Sequence, residues 1–428
     1  MVKSLNVGIS INDEKVCILL YADDIVFLTE NETDLQKVLN VLNIWCNTNK
    51  LTVNLNKSKI VRFRTPSVPK SKYCFAYGGN TLEVVSNYTY LGLLFTEFFN
   101  YEAMAKAVSK SANRALGLLI AKCKVNGGFN YSTFTKLFDT LVWSVIEYGA
   151  SIWGCREFTC INAIKNRAMR FFMGVRKYTP NLALYGDMGW MPCSIKQWSA
   201  VFRLWSRLSK MNNNRLNKRV FNWCYSSSSS KIKNWCYRVM SKFRDTNLEQ
   251  YCDIDVFLSR NMIHCIETTL FDKYKINWCN QLNNDAYRKL RTYKTFKTEF
   301  KVESFLCKNM PIRYRSAFSK FRCGVAPLKV ETGRYENLPI ENRLCFYCND
   351  LQTVEDEKHV LLTCPLYASL RNDLYVYASL VFEDFIFLSD DEKFVFLFNN
   401  DDMSFYTAKI CYELLLKRKY TFSSACFC

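Results

Sequence analysis

No apolar run in this sequence approaches the roughly 18–20 residues that a membrane-spanning helix needs. The amino terminus carries Lys3 but no apolar signal core before Asn12, Asp13 and Glu14. These two absences argue against a membrane protein and against secretion, and for an intracellular chain, nuclear or cytoplasmic. Histidine is almost missing, with two in 428 residues, so each one has to be accounted for. Gly (14) and Pro (8) are sparse while aromatics reach 15% and apolar residues 49%. Such a balance argues against disorder and leaves material for two or three buried cores. Cysteine is plentiful at 20, but it is scattered through a long chain without a secretory signal, so most cysteines read as reduced, buried apolar residues.

Acid is missing where it matters most. From Met188 to Arg244 there is no Asp or Glu, against twelve bases that include Lys196, Arg203, Arg207, Arg215, Lys218, Arg219, Lys231, Lys233 and Arg238. A second basic stretch, Ala286 to Arg322, carries eleven bases against Glu299 and Glu303. From Glu331 to Asp402 the sign flips, with fifteen acids and five bases. The net charge of +19 predicts a polyanionic partner, and its distribution predicts a body that grips phosphates and a tail segment that does not. Trp190, Trp198, Trp205, Trp223 and Trp235 alternate with the first set of bases. Aromatic faces can stack on unpaired bases, but Phe202, Trp205 and Leu208 recur at helical spacing. Most of these rings are therefore assigned to the core and the charge to binding. Ser226 to Ser230 reads as a flexible break between helices.

The first hundred residues parse into short elements. Val16–Ala22 and Ile25–Leu28 are apolar runs flanking Asp23 and Asp24, a pattern that predicts a tight β-hairpin with both carboxylates at its tip. Ile9 to Val16 reads as a strand leading into it. Thr33 with Gln36 has a capping-box spacing, and Leu35, Val38, Leu39, Leu42, Trp45 and Cys46 mark one face of the helix that follows. Leu51 to Ile60 alternates like a strand and carries Lys57 and Lys59. A further strand pair has Gly78-Gly79-Asn80 as its turn and Tyr88 to Phe95 as its return. Tyr101 to Lys124 is a helix with Ala107, Val108, Ala115, Leu116 and Leu119 inward. Its Lys106, Lys110 and Arg114 fall every four residues, either to grip phosphates or as a solvated face. Tyr131–Trp153 and Thr159–Val175 are two more helices.

Tyr21-Ala22-Asp23-Asp24 between apolar strands, Asn54 with Lys57-Ser58-Lys59, and Tyr90-Leu91-Gly92, in this order, resemble consecutive palm motifs of non-LTR (LINE-type) retrotransposon reverse transcriptases. The phrases Ile146–Trp153 and Leu184–Pro192 resemble segments that follow the palm in that family. The resemblance implies that Asp23 and Asp24 bind Mg²⁺ and are catalytic. It also implies that Tyr21, Lys57, Lys59, Tyr90, Leu91, Gly92, Lys106, Lys110 and Arg114 contact an RNA template or a DNA primer or target. Two carboxylates suit the task because nucleotide transfer builds charge on attacking and leaving oxygens that two divalent ions stabilise. A complete enzyme of that family needs a further upstream Asp. Only twenty residues precede Tyr21, so the expectation is a piece that begins just before the Asp-Asp motif and does not copy a template alone. The alternative is a non-catalytic RNA- or DNA-binding protein.

Cys345-Phe-Tyr-Cys348, His359 and Cys364 have the order and spacing of a tetrahedral zinc site, predicting a structural Zn²⁺. The other histidine, His264, sits in an apolar helix-like stretch and is predicted to be packed in the core. Asp391-Glu392-Lys393 is a poor nuclease motif and reads as a helix start, and Cys426-Phe-Cys428 does not fit a prenylation box. The expected fold class is α+β: a partial polymerase palm of antiparallel hairpins plus a helix (1–98), thumb-like helices (99–180), a basic helical region (181–330) and a small zinc module with the tail (331–428).

Overall fold

Two-residue loops with left-handed backbone organise the amino-terminal hundred residues in the computed structural model, which describes residues 2–12, 14–284, 290–348 and 353–425. Asp13, residues 286–289 at the start of the second basic stretch, and Cys426 and Cys428 lie outside the described residues. Four antiparallel hairpins form, each its own two-stranded sheet: β1 (Ile9–Ile11) with β2 (Glu14–Val16), β3 (Ile18–Tyr21) with β4 (Asp24–Phe27), β5 (Phe75–Tyr77) with β6 (Asn80–Leu82), and β7 (Asn87–Tyr90) with β8 (Leu93–Thr96). Positive φ at Asn12 (52°), Ala22 (51°), Gly78 and Gly79 (55° and 82°), and Leu91 and Gly92 (46° and 76°) closes these turns. That handedness matches the twist of the flanking strands. Ile9 to Val16 is thus a hairpin of its own rather than one leading strand, and Tyr88 to Phe95 is likewise a complete hairpin.

Helix α1 (Glu32–Thr48) follows β4. Its cap is Asn31, whose side chain accepts from Asp34 N, and not the Thr33–Gln36 pair. Gln36 instead turns to β5: its Nε2 donates to Ala76 O and its Oε1 accepts from Ala76 N, at 2.8 and 2.9 Å. Leu39 packs with Phe75, Tyr77 and Leu82, while Val38 packs with Val7 and Cys17. Residues 51–59 are irregular rather than a strand. Asn54 bends the chain there, accepting from Lys57 N on its side chain and from Ser58 N on its carbonyl. Only Ile60 bridges, parallel, to Val84.

The rest of the described chain is mostly helical: α2 (Tyr101–Val125), α3 (Tyr131–Leu137), α4 (Ser144–Glu147), α5 (Ala150–Trp153), α6 (Thr159–Met173), α7 (Asn181–Met188), α8 (Cys193–Ser209), α9 (Leu216–Ser226), α10 (Trp235–Asp245), α11 (Arg260–Leu282), α12 (Tyr293–Phe296), α13 (Ser304–Cys307), α14 (Ile312–Arg322), α15 (Lys329–Thr332), α16 (Ala368–Val381), α17 (Asp390–Asn399) and α18 (Ser404–Ala425). The expected Tyr131–Trp153 helix is broken: a π turn spans Phe138–Trp143, and Gly149, at φ 65°, starts a new helix. No helix among the described residues is long and apolar enough to cross a membrane. No disulfide joins the described cysteines, and many of them are buried.

The chain divides into two units. The first comprises Met1–Lys110, Glu147–Phe158 and Gln197–Ile266. Besides the hairpins it holds an aromatic core in which buried Trp205 meets Phe221 at 5.1 Å, Phe243 at 5.9 Å and Trp235 at 6.0 Å between ring centres. Most tryptophans of the acid-free stretch are buried or half-buried, and only Trp223 is exposed. The bases between them divide: Arg207, Arg215, Lys231 and Lys233 are exposed, while Lys218 is buried and donates to Ser209 O. The serine run is a break, but a tied one, since Ser228 Oγ bonds Asn234, the cap of α10. His264 is exposed and not in the core, because Ile263, Ile266 and Leu270 take the inward face of α11.

The second unit comprises Ser111–Ile146, Thr159–Lys196 and Glu267–Cys428. A buried charge quartet lies within it. Arg322 and Asp187 are both 0% exposed, with Arg322 Nε 3.3 Å from Asp187 Oδ2 and Nη2 2.9 Å from Glu303 Oε2. Lys297 pairs with Glu303, and the Tyr293 hydroxyl donates to Asp187 Oδ1 at 2.7 Å. Burial alone would lower the Arg322 pKa, but Asp187 and Glu303 outweigh it and raise it. Part of the second basic stretch is therefore turned inward rather than presented outward: Lys297 and Arg322 are buried against carboxylates, Arg291 pairs with buried Glu357, and buried Arg315 lies over the Phe172 ring. Deleting one partner of such a buried pair costs about 3–5 kcal/mol. Arg322→Ala is expected to lower the urea midpoint of the second unit by a corresponding amount, read by circular dichroism; an unshifted midpoint would refute a structural role for the quartet.

Candidate functional site

The β3–β4 hairpin is held at one end and open at the other. At its base Leu28 N donates to Cys17 O at 2.8 Å, and Cys17 and Phe27 pack on Val38. Glu30 adds a tie by accepting from Ser10 N at 2.9 Å, a bond that lowers the Glu30 pKa. At the far end Tyr21 pairs with Asp24 across a loop of Ala22 and Asp23. Asp23 and Asp24 are both exposed, and so are Leu20, Tyr21 and Ile25 on the strands behind them. The expected geometry of two neighbouring carboxylates on a tight turn is thus present, presented on short strands.

The neighbouring motifs are in the same unit. Lys57 is exposed, and its carbonyl accepts from the Tyr88 hydroxyl at 2.8 Å. Lys59 is half-buried and pairs with Glu83 at 2.8 Å. Tyr90-Leu91-Gly92 forms the β7–β8 turn, which is fastened by a residue whose role the sequence did not signal. Tyr148 donates its hydroxyl to Leu91 O at 2.7 Å, and its ring would lie 3.1 Å from a Cβ added at Gly92. Next to it, a Cβ at Gly149 would fall 2.7 Å from Leu93. Glycine at 92 and 149 therefore permits the helix break to press against the turn. In the sequence Ile146–Trp153 stands out only as a family-like phrase; its spacing says nothing of a partner some 57 residues away. On α2, Lys106, Lys110 and Arg114 are all exposed, while Val108, Leu116 and Leu119 are buried; Ala107 and Ala115 are half-buried.

Three thiols and an imidazole converge in the second unit. The ligand atoms of Cys345, Cys348, His359 and Cys364 lie within 4.8 Å of one another, and all four residues are buried. Cys345 Sγ is 4.0 Å and Cys348 Sγ 3.6 Å from Cys364 Sγ, and Cys348 Sγ is 3.0 Å from His359 Nε2. Tetrahedral zinc with Zn–S bonds of about 2.3 Å sets neighbouring sulfurs about 3.8 Å apart, so the donor set and its size fit that ion. The hydrogen bond between Cys345 and Cys364 lowers the pKa of Cys345 and raises that of Cys364. His359 is oriented from behind. Thr363 donates its hydroxyl to His359 O, so it accepts from Nδ1–H at 3.0 Å and leaves the Nε2 lone pair for a metal.

The strut beneath the cluster is Glu355. It accepts two bonds from Arg418, at 2.8 and 2.7 Å, and one from Lys329 N. Its own N–H donates to Arg343 O, and Cys345 N donates to Thr353 O. Asp391 and Glu392 do begin a helix, α17, through a capping box with Ser389.

Removing the Tyr148 hydroxyl would cost about 0.5–1.5 kcal/mol locally, the worth of one neutral hydrogen bond. Tyr148→Phe is expected to speed amide hydrogen exchange in β7 and β8 while leaving α14 unchanged; equal protection in the variant would mean that the turn is held by other contacts.

No curated protein matches the chain. Residues 2–95, which contain the Asp23–Asp24 tip and the Tyr90-Leu91-Gly92 turn, match the family model of the reverse transcriptase (RNA-dependent DNA polymerase).

Proposed function

We propose that the chain serves RNA-directed DNA synthesis in a LINE-type retrotransposon. The exposed Asp23–Asp24 turn within the matched segment is the observation that carries this. Asp23 and Asp24 are hard oxygen donors that suit Mg²⁺. When bound, that ion supplies charge to stabilise the attacking and leaving oxygens. The protein's share is positioning. The hairpin base fixes the carboxylates, the Tyr148-braced turn offers a firm seat for a primer end, and exposed Lys57, Lys106, Lys110 and Arg114 meet phosphates. In functional terms 1–98 acts as the palm portion, 99–180 as thumb-like helices, 181–330 as the basic binding region and 331–428 as the module with structural Zn²⁺ and the tail.

Among the described residues no third carboxylate joins Asp23 and Asp24 in a cluster. Metal held by two acids alone is weakly placed, so synthesis by this chain unaided is not expected. That contrast with the complete Cys3His set favours a second reading, a non-catalytic RNA- or DNA-binding protein built around a structural zinc.

Primer extension and binding on one RNA–DNA hybrid test the nucleic-acid binding that both readings share and the expected lack of unaided synthesis. The purified chain with Mg²⁺ is expected to bind the hybrid without extending it, with affinity falling as salt rises by about 0.9 log units per log unit of salt for each phosphate contacted. Replacing Lys106, Lys110 and Arg114 together by Glu should weaken binding and flatten that slope. Extension lost in Asp23→Asn would establish a self-sufficient polymerase. Absence of binding would sink both readings.

The zinc assignment is checked by elemental analysis. Cys364→Ser should drop zinc from about one per chain to near none and lower the melting temperature, because a structural zinc contributes to folding. The exposed Cys307→Ser serves as the unchanged control. Equal zinc in both variants would remove the metal from these four residues.

A further inference from the structure

Residues 376–392 contain no Lys or Arg, in a chain whose net charge is +19. They contain five acids, Glu383, Asp384, Asp390, Asp391 and Glu392, all exposed. Beside the acids stand large apolar side chains that water should not see: Phe387 is 85% exposed, Leu380 80% and Ile386 58%. A short 3-10 turn, Glu383–Phe387, holds out Ile386 and Phe387, and the end of α16 holds out Leu380. Its Phe385 is the inward anchor, 5.2 Å from Tyr375 and 5.4 Å from Phe396 between ring centres. A depression of about 460 Å³ opens beside this turn, walled by Phe382, Leu388, Val395 and Phe396, with Asp391 and Glu392 at its edge.

We propose that this face, formed by the end of α16, the 3-10 turn and the start of α17, binds a basic amphipathic helix of a partner protein. An apolar groove takes a helix through side chains at i, i+3, i+4 and i+7. The acidic rim selects the flanks of that helix: Lys or Arg there gains favourable attraction, while Glu or Asp is repelled. A nucleic acid is excluded by the same rim. Asp391 already pairs with Lys358, so a base beside these acids is accommodated within this very chain. The face lies outside the hairpin tip and the Cys3His cluster, and the inference stands whether or not the chain synthesises DNA.

The test uses the full chain and a fluorescein-labelled helical peptide of about 18 residues, with Leu at the inward spacing and Lys on both flanks. Saturable binding is expected from anisotropy, at least tenfold weaker for Phe387→Asp and for the double variant Asp384→Lys with Asp390→Lys, and weaker as salt rises. A matched peptide with Glu in place of Lys should bind at least tenfold more weakly. Circular dichroism and zinc content of each variant confirm that it is folded. Three results would each overturn the proposal: no saturable binding by the Lys peptide, equal binding by the folded variants, or equal binding by the Glu peptide. Concentration-dependent self-association of the chain that Phe387→Asp abolishes, seen by sedimentation velocity, would also overturn it by assigning the face to a second copy.

Discussion

A guanidinium with no access to water sets the terms for the second unit. Arg322 cannot shed its proton, and an isolated buried charge costs several kcal/mol, so its surroundings must answer it. They do so from three places in the chain: Asp187 at the end of α7, Glu303 just before α13, and Phe398 O near the end of α17. Its flat face lies over Phe296 at 4.5 Å, and Glu303 is in turn held by Lys297. Two acids and two bases thus neutralise one another away from solvent, while the Glu303 backbone N–H donates to Asp187 O. The residues nearest this quartet are pinned in register, because a shift of one position would leave a charge unanswered.

Much of the local structure was legible and most of the long-range structure was not. A hairpin close to Asp23 and Asp24, most of the inward face of α2 and the gathering of Cys345, Cys348, His359 and Cys364 follow from short patterns, although the turn falls one residue earlier than the acidic pair suggests, with Asp24 already paired to Tyr21. The Cys-Cys-His-Cys spacing is informative because one histidine out of two falls where a ligand is needed. In contrast, Asp187 and Arg322 are 135 residues apart, and Tyr148 is 57 residues from the carbonyl it grips. No periodicity encodes such pairings. The alternation over 51–60 misled for a local reason: Asn54 offers its own side chain and carbonyl to the backbone that follows, and a bend wins over a strand.

Counting charge likewise overstated what the surface offers. The stretch ending at Arg322 looked as basic as the acid-free one, yet several of its bases face inward towards carboxylates. In the acid-free stretch most bases remain exposed while Trp198 and Trp205 make the core. Both stretches bury aromatics, Trp198 and Trp205 in one and Tyr293, Phe296 and Phe318 in the other; in the second, Lys297 and Arg322 are buried as well, against Glu303 and Asp187.

Gln36 has a consequence beyond joining α1 to β5. In a two-residue hairpin the amide and carbonyl of Ala76, opposite Thr81, point away from the partner strand. They form an open edge of the kind onto which a stray polypeptide can add itself. The carboxamide of Gln36 gives that edge one acceptor and one donor, as a neighbouring strand would, and leaves no vacancy at this position for a foreign one. A single side chain thereby acts as a guard against sticky, fibre-like assembly.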